Sequence, residues 1–404
     1  MISIERGLEI VMSAASEKNR PDWTHAEHVP LQRAMGRVLR EDVFSDSDSP
    51  AFDKSIRDGF AVRSKDLLKV PKRLSVIGES RAGVPSDVTV GAGECCEIMT
   101  GAQLPKGADA VVMVENTERV SASSVRILKS VKENEGLLRR GVEARKGEKL
   151  LEAGSVIGLA DIGLLSSVGK ANVLVSWKPR VAIIATGDEL VEAHETPETG
   201  QIRNSNSYTL YSQVLRAGGE PILLGIARDD MFDLRQKITR GLKQDILLVS
   251  GGVSMGKYDF VEDAFAEFGI QIMFDKVAMK PGKPTVFGHH DRGYVFGLPG
   301  NPVSTIVAFE MFVRPLILSL LKAGDTKPKI LTAALEAPAK CDPLRTALVP
   351  ARVRFDDGSY RISTASWKGS SDLVGLSRAN ALIMIPQRTG AMEPGESAQF
   401  LFLE

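Results

Sequence analysis

SGGVSMGKYDF (residues 250–260) follows the short apolar run DILLVS (245–250), which is typical of a buried strand. Gly251 and Gly252 let the backbone turn sharply and bring bare N–H groups close to a ligand. A loop of this kind can hold a phosphate group, although two glycines after a strand are as typical of a plain tight turn. Two further loops of the same kind favour the phosphate interpretation.

One of these loops is GLPGNPVS (297–304), which again follows an apolar run. Asn301 and Pro302 form a good N-cap and first-turn pair for the apolar helix predicted from Val303. The positive end of that helix is expected to face the Gly300 loop.

The other loop is VAMKPGKP (277–284), in which prolines on both sides restrict Lys280 and Lys283. With Lys276 they form a KxxxKxxK run, a pattern that is also typical of a solvated face. Together with Asp259, these groups predict a site that holds an anion and a divalent cation.

Common nucleotide and metal motifs are absent from the sequence. The GKP at 282–284 lacks the hydroxyl residue that a P-loop places after its lysine, and SGGVSMG is not a GxGxxG dinucleotide motif. The three cysteines, Cys95, Cys96 and Cys341, do not have the spacing of metal ligands.

Composition limits the possible partners and compartments. The 404 residues predict two to four domains, and the balance of 51 Lys and Arg against 51 Asp and Glu favours neither nucleic acid nor an anionic membrane. The N-terminus predicts an amphipathic helix rather than a signal peptide, and no run is expected to reach the length of a membrane span. With few cysteines, the chain is expected to be cytoplasmic.

Changes in the secondary-structure pattern along the sequence predict a multidomain α/β and β protein with four parts. Residues 1–49, with the pattern helix, loop, helix, combine with 140–176 into a helical and linker domain, and 50–139 form an inserted β domain. Residues 177–326 alternate strands and helices and predict a doubly wound α/β domain, which binds ligands beyond the carboxyl ends of its strands. Residues 327–404 predict a C-terminal β-barrel-like domain.

Several motifs in the chain resemble the molybdopterin molybdotransferase family, the bacterial MoeA type, which is similar to the gephyrin E domain. They occur in family order over nearly the whole chain: SIRDGFA (55–61), IMTGAQLPKGADAVVMVE (98–115), ATGDEL (185–190), GQIRNSN (200–206), SGGVSMGKYDF, MKPGKPTVFG (279–288), GLPGNPVS and RANALIMIP (378–386). The resemblance implies a MogA-like α/β domain and a homodimer.

The resemblance also implies an activity. The family takes adenylylated molybdopterin and molybdate and, with a divalent metal such as Mg²⁺, releases AMP and molybdenum cofactor. A molybdopterin adenylyltransferase and an apo-molybdoenzyme are the implied protein partners. Molybdate and tungstate stay open as the natural oxyanion, because both are tetrahedral dianions of similar size.

Site residues carry over from the family position by position. The implied catalytic residues are Asp58, Thr100, Glu143, Glu189 and Asp259, and the implied metal ligands are Asp229 and Asp259. The implied substrate-binding residues are Gly251, Gly252, Ser254, Lys276, Lys280, Lys283, Pro299, Gly300 and Asn301. Asp58 and Thr100 are expected to act across the dimer interface.

The segment LRRGVEA (138–144) departs from the family pattern RxxGED. Leu138 stands in place of an arginine, Val142 in place of a glutamate, and Glu143 in place of the usual aspartate. Arg57 is a second departure, since it adds a cation beside Asp58. Arg139 and Arg140 are candidates to replace the lost charge.

Other interpretations stay open for single residues and for the whole chain. Asp259 has the spacing of a helix cap, and Glu189 or Asp229 has the character of a surface cap. Two other classes of protein remain possible: an adenylyltransferase or nucleotide hydrolase of MogA or CinA type, and a scaffold protein like the gephyrin relative.

Overall fold

The structure of the chain, a computed structural model, describes residues 1–16, 25–252, 261–290 and 293–403. The chain forms two compact units. One unit comprises Met1–Glu41, Ala153–Gly158 and Val173–Glu404, and the other comprises Asp42–Glu152 and Leu159–Asn172. The second unit, named the inserted unit here, therefore interrupts the sequence of the first.

The N-terminal segment begins with an amphipathic helix and continues in extended structure. Helix α1 (Ile4–Ser16) buries residues that recur every three or four positions, Ile4, Gly7, Val11, Ala14 and Ala15. Strand β1 (Ala26–Pro30) and the 3-10 helix Leu31–Arg33 follow. The second α-helix predicted before residue 49 is absent from residues 25–49, where Pro30 and Gly36 interrupt the sequence on either side of the 3-10 helix.

The inserted unit is built on a six-stranded sheet, as the all-β prediction for this region requires. Its elements are β2 (Val43–Phe44), β3 (Lys54–Ser55), β4 (Gly59–Val62), β5 (Lys72–Ser80), β6 (Glu94–Ile98), β7 (Ala110–Met113), β8 (Thr117–Ser121), β9 (Ser124–Ile127), β10 (Leu137–Leu138), β11 (Lys149–Leu151) and α2 (Leu159–Ser167). The sheet order is β7-β4-β6-β5-β9-β8, and only the β5–β6 pair is parallel. Strands β2 and β11 pair with each other, as do β3 and β10.

The central strands of this sheet are buried on both faces. Phe60 and Val62 enter one apolar cluster, while Ala61 between them enters the other. Cys95 and Cys96 divide in the same way. This alternation follows from the two-residue period of a strand. Burial raises the pKa of the Cys95 thiol to about 12 and that of Cys96 to about 11, so neither is poised as a nucleophile.

The central part of the first unit is a doubly wound α/β fold. Strand β12 (Asn172–Ser176) precedes this fold and pairs with β1. The elements that follow are β13 (Arg180–Thr186), β14 (Leu190–Val191), β15 (Ile202–Arg203), α3 (Asn206–Arg216), β16 (Glu220–Ala227), α4 (Met231–Gly241), β17 (Ile246–Ser250), α5 (Val261–Glu267), β18 (Gln271–Phe274), β19 (Met279–Lys280), β20 (Val286–His290), β21 (Gly293–Leu298), α6 (Pro302–Ala308) and α7 (Arg314–Leu320). The sheet order is β16-β13-β17-β21-β20-β18. Strands β16, β13, β17 and β21 are parallel, and β20 is antiparallel to β21.

The buried strand predicted at 245–250 is β17, at the centre of this sheet. Ile246 and Leu248 enter the apolar cluster on one face, and Leu247 and Val249 enter the cluster on the other. Full burial of each such side chain contributes about 1.5–3 kcal/mol. A parallel strand covered on both faces therefore has a continuous apolar sequence.

The order of the strands creates a crevice. From β13 the chain passes through α3 to β16 on one side, and it then returns through α4 to β17 on the other side of β13. The loops that leave β13 and β17 consequently diverge at the carboxyl ends of these two strands. Ligands bind at such a switch point in open α/β sheets.

A long apolar helical segment packs beneath the crevice. Helix α6 continues through a π-helical turn (Phe309–Val313) into α7, so that residues 302–320 are helical throughout. Contrary to the sequence prediction, this segment is long and apolar enough to cross a membrane, with a mean hydropathy of 1.7, but it is 83% buried within the protein. Gly7 of α1 lies against it, since a Cβ there would be 2.9 Å from the Phe312 ring. These contacts are those of a core helix.

The C-terminal region closes into a small barrel. Its elements are β22 (Leu331–Leu335), β23 (Ala339–Lys340), β24 (Thr346–Asp356), β25 (Ser359–Thr364), α8 (Leu373–Ser377), β26 (Ala381–Ile385), β27 (Ala391–Met392) and β28 (Ser397–Phe402). The strands pair in the ring β24-β25-β22-β28-β26, because β26 also pairs with β24. The short strand β19 of the α/β part joins β24 in parallel. A β-rich C-terminal region is therefore confirmed.

Two glycines of the inserted unit test how closely its backbone is packed. Gly107 and Gly83 have φ of +84° and +80°, but a Cβ on Gly107 would lie 2.4 Å from the Val90 carbonyl oxygen, whereas one on Gly83 would meet nothing within 4 Å. Both alanine variants incur the left-handed strain of about 1–2 kcal/mol, and Gly107→Ala must also displace backbone. We expect Gly107→Ala to melt roughly 2 °C or more below Gly83→Ala by calorimetry. Equal melting temperatures would contradict the close approach to Val90.

Candidate functional site

A cavity of about 680 Å³ lies at the carboxyl ends of β13, β17 and β21, where the crevice opens. Its walls come from the loops after these strands, from the start of α3, and from the segment that precedes α8. A volume of this size is in the range of small-molecule sites. The position agrees with the one predicted from the alternation of strands and helices.

The glycine turn after β17 forms one wall of this cavity. Gly251 and Gly252 have φ of +98° and +66°, which side chains disfavour. A Cβ on Gly251 would lie 2.7 Å from the Thr186 carbonyl oxygen, and the Gly251 N–H donates to the Leu298 carbonyl at 3.0 Å. Only bare backbone therefore fits between the ends of β13 and β21.

The loop after β21 meets the glycine turn directly. A Cβ on Gly300 would lie 3.6 Å from the Gly251 Cα, and Pro299, Gly300 and Asn301 all line the cavity. Asn301 precedes Pro302 at the start of α6, as predicted, but its side chain makes no capping bond to the helix. The Asn301 side chain is exposed. The positive end of the helical segment thus faces the cavity.

Asn206, the first residue of α3, joins these two loops. Its Nδ2 donates to the Ser250 Oγ at 2.9 Å and to the Gly300 carbonyl at 2.7 Å. Ser250 Oγ in turn donates to the Pro299 carbonyl at 3.4 Å. The motif GQIRNSN contains Asn206, but sequence reasoning assigned no role to any residue in it.

The carboxylates Glu189 and Asp229 also line the cavity. Sequence analysis left open a capping role for Asp229, but the N-cap of α4 is Asp230, whose carboxylate accepts from the Asp233 N–H at 3.1 Å. The Asp229 N–H donates to the Asp188 carboxylate at 3.2 Å. Asp229 is therefore held beside the cavity without serving as the helix cap.

The three predicted lysines lie on the loop that passes near the cavity, but among described residues of that loop only Pro284 lines it. Lys280 Nζ lies 3.4 Å from the Asp342 carboxylate, and Lys283 is exposed. Lys276 Nζ lies 3.0 Å from Asp275, and this hydrogen bond raises the pKa of Lys276.

Asp58 and Thr100 come together in the inserted unit. The Thr100 N–H donates to the Asp58 carboxylate at 2.7 Å, and this bond, with one from the Thr100 hydroxyl, lowers the pKa of Asp58. Both residues are exposed. An ionised carboxylate next to a threonine hydroxyl is available at this surface.

Glu143 lies in a different part of the inserted unit, where it accepts a bond of 2.8 Å from the Ser49 hydroxyl. The two arginines that precede it are already engaged. Arg139 forms an ion pair with Asp53, and Arg140 Nε lies 2.6 Å from the Asp48 carboxylate. Both arginines are thus engaged in ion pairs within the inserted unit, where they connect residues 139–140 to residues 48–53.

Two predicted residues, Ser254 and Asp259, lie outside the described residues. Within the part of the chain that is described, no three His, Cys, Asp or Glu side chains are grouped as metal ligands. Mg²⁺ commonly takes only one or two protein carboxylates and completes its coordination with water and substrate phosphates. The oxygen donors of Glu189 and Asp229 fit that chemistry.

The barrel supplies a wall that sequence reasoning missed. Ser371 and Leu373 line the cavity, and the Ser370 carbonyl accepts from the Val303 N–H at 3.0 Å. These residues are about 70 positions apart in the chain, and no local pattern links them. The one feature of the sequence that could have indicated them is that they lie just before the motif RANALIMIP (378–386).

Comparison with known proteins gives matches along the chain. The family model described as MoeA N-terminal region (domain I and II) matches residues 2–169, that of a probable molybdopterin binding domain matches 182–319, and that of the MoeA C-terminal region (domain IV) matches 332–403. A molybdopterin molybdenumtransferase of Bacillus subtilis (strain 168) is 36% identical over 387 residues, which cover 93% of this chain and 90% of that protein. One of Staphylococcus aureus (strain Mu50) is 34% identical over 382 residues, 93% of this chain and 91% of that protein.

Solved structures agree over the full length. A molybdopterin biosynthesis MoeA protein of Pyrococcus horikoshii superposes with a TM-score of 0.78 at 32% identity, covering 100% of this chain and 99% of that one. A second MoeA structure from strain OT3 of the same organism gives a TM-score of 0.81 at 28% identity, with both chains covered completely.

The lysine loop allows a test that separates ligand binding from folding. We expect Lys280→Met and Lys283→Met to weaken molybdate binding about tenfold each by calorimetry, because each removes a fixed charge. The melting temperature should change little, since Asp342 keeps Arg345 at 3.1 Å when Lys280 is removed. Lys329→Met, at another exposed lysine, is the control. Unchanged molybdate affinity in both loop variants would contradict the binding role and favour the interpretation that these lysines belong to a solvated surface.

Proposed function

The chain belongs to the MoeA family of molybdopterin molybdenumtransferases, and we propose that it converts adenylylated molybdopterin and molybdate into molybdenum cofactor with release of AMP. As a family member it is a transferase of molybdenum cofactor biosynthesis. The observation that carries the proposal is the cavity at the switch point, where the Gly251 turn and the Gly300 loop meet.

The proposed substrate has an adenylate phosphate, and the cavity offers groups that suit it. The Gly251–Gly252 turn presents backbone without side chains, and the helical segment that begins at Pro302 directs the positive end of its dipole at the cavity. Asn206 holds both loops at a constant separation through its two hydrogen bonds. The phosphate is therefore expected to lie between Gly251 and Asn301.

Mg²⁺ is the proposed cofactor, held by Glu189, Asp229 and Asp259. When bound, it would supply a Lewis acid next to the phosphate oxygens. The carboxylates of Glu189 and Asp229 would orient the substrate through that cation, and the glycine turn would exclude water from the backbone side. Lys280 and Lys283 are proposed to attract the oxyanion to the neighbouring loop.

The proposed assembly is a homodimer in which Asp58 and Thr100 of one subunit complete the site of the other. Both residues are exposed, and the hydrogen bonds from Thr100 lower the pKa of Asp58 and so favour its ionised form. A molybdopterin adenylyltransferase is proposed to deliver the substrate and an apo-molybdoenzyme to receive the product. The proposed compartment is the cytoplasm, since all three cysteines are free thiols.

Adjacent aspartates provide a matched test of the metal and AMP proposals. We expect Asp229→Asn to lower Mg²⁺-dependent AMP release roughly tenfold or more, because a metal ligand loses its charge. Asp230→Asn should retain activity, since asparagine caps helices as well as aspartate does. AMP formed from adenylylated molybdopterin and molybdate is measured by chromatography, with and without EDTA. Equal rates of AMP release in the two variants would contradict a role for Asp229 in the site. AMP release that is unchanged by EDTA would contradict the requirement for a divalent metal.

Mixing two variants of low activity tests whether two subunits share each site. We expect an Asp58→Ala protein and an Asp229→Asn protein to regain up to about a quarter of wild-type activity after subunit exchange. One site of each heterodimer then contains neither substitution, and half of the dimers are mixed. Mass spectrometry verifies exchange. Absence of recovery in verified heterodimers would place both groups in one subunit.

A further inference from the structure

A second cleft lies on the C-terminal barrel. Its volume is about 350 Å³, and its lining residues are Arg352, Ser363, Thr364, Ala365, Ser366 and Arg378. None of these residues lines the cavity at the carboxyl ends of β13 and β17. Neither family resemblance nor sequence pattern pointed to this cleft.

Hydrogen bonds hold the walls of the cleft together. Arg352 on β24 lies opposite Ser363 on β25 in the antiparallel register, and the Arg352 Nε donates to the Arg378 carbonyl at 2.8 Å. The side chain of Asn380 exchanges two bonds with the Val353 backbone, at 2.8 and 2.9 Å. The segment after α8 is therefore fixed against β24, and the two arginines occupy defined positions along one cleft.

The charges in this cleft are not balanced. The barrel sequence 327–404 contains six arginines, and four of them pair with carboxylates: Arg345 with Asp342, Arg354 with Glu336, Arg361 with Asp356, and Arg388 with Glu396. Arg352 and Arg378 have no carboxylate partner among residues 331–403, and these two line the cleft. No described Asp or Glu lines it.

Hydroxyl groups complete the lining. The hydroxyls of Ser363, Thr364 and Ser366 make no hydrogen bond to another described residue. Each can therefore donate to a bound acceptor. Two guanidinium groups and three hydroxyl groups therefore line the cleft, and the bond from Arg352 Nε to the Arg378 carbonyl is the only side-chain hydrogen bond from them to a described residue.

We propose that this cleft binds a small ligand through a tetrahedral oxyanion group such as a phosphate. Guanidinium groups match the geometry of phosphate oxygens and form charge-assisted pairs with them. An anion would also neutralise the two positive charges that the fold places together without a partner. Because about 350 Å³ exceeds the volume of a bare oxyanion, the cleft has room for an attached group, as in a phosphomonoester.

Calorimetry on the full-length protein at low ionic strength tests this site. The probes are AMP, inorganic phosphate and molybdate. The variants are Arg352→Met and Arg378→Met, with Arg354→Met as the matched control, since Arg354 lies on the same strand but pairs with Glu336. The wild type should show a class of binding that weakens at least tenfold in both cleft variants and stays unchanged in the control.

The probes identify the source of the oxyanion. Tighter binding of AMP than of phosphate at this class of site would support a phosphomonoester ligand, whereas equal binding of phosphate or molybdate would support a free oxyanion. Transferase activity should be unchanged in both variants, because the cleft shares no lining residue with the cavity. Failure of this proposal would therefore leave the proposed transferase reaction intact.

Two outcomes would overturn the proposal. One is that no probe loses a binding class in the cleft variants, and the other is an equal loss in Arg354→Met, which would indicate attraction by general charge. If Arg352→Met lowers the melting temperature, Arg378→Met carries the test, because only the backbone carbonyl of Arg378 takes part in the bond to Arg352.

Discussion

The parallel pairing of β13 with β17 is the constraint on which the site depends. Both strands are covered on each face by apolar clusters, so their positions relative to each other cannot shift without exposing core side chains. Their connections leave in opposite directions, and the loops beyond Thr186 and Ser250 therefore separate at one edge. The cavity is a consequence of this arrangement rather than of any single loop.

Close backbone approach then determines the shape of the cavity. Gly251 fits under the end of β13 only because it has no side chain, since a Cβ there would lie 2.7 Å from the Thr186 carbonyl oxygen. Asn206 connects the same loops through Ser250 and Gly300, so that α3 and the helical segment from Pro302 begin at the same place. A polar side chain at the first position of a helix thus stabilises the two loops of the cavity.

The C-terminal barrel makes several contacts with the α/β part. It covers the start of α6 through the Ser370 carbonyl and supplies Ser371 to the cavity, while β19 joins the lysine loop to β24. The Lys280 ion pair with Asp342 connects the same two parts. The second cleft of the barrel differs from this ion pair, because its two arginines, Arg352 and Arg378, have no carboxylate partner among the described residues of the barrel.

By itself, the sequence determined most of the elements around the cavity. The apolar run 245–250, the glycines after it and the Asn301-Pro302 pair are local signals, because burial, positive φ and helix initiation depend on a few adjacent residues. Only the tertiary structure decided that Asp230 rather than Asp229 caps α4 and that Asn206 joins two loops. It also decided that Pro284 rather than the three lysines lines the cavity and that Ser371 is part of the lining. These outcomes depend on contacts between residues far apart in the chain, which no local pattern encodes.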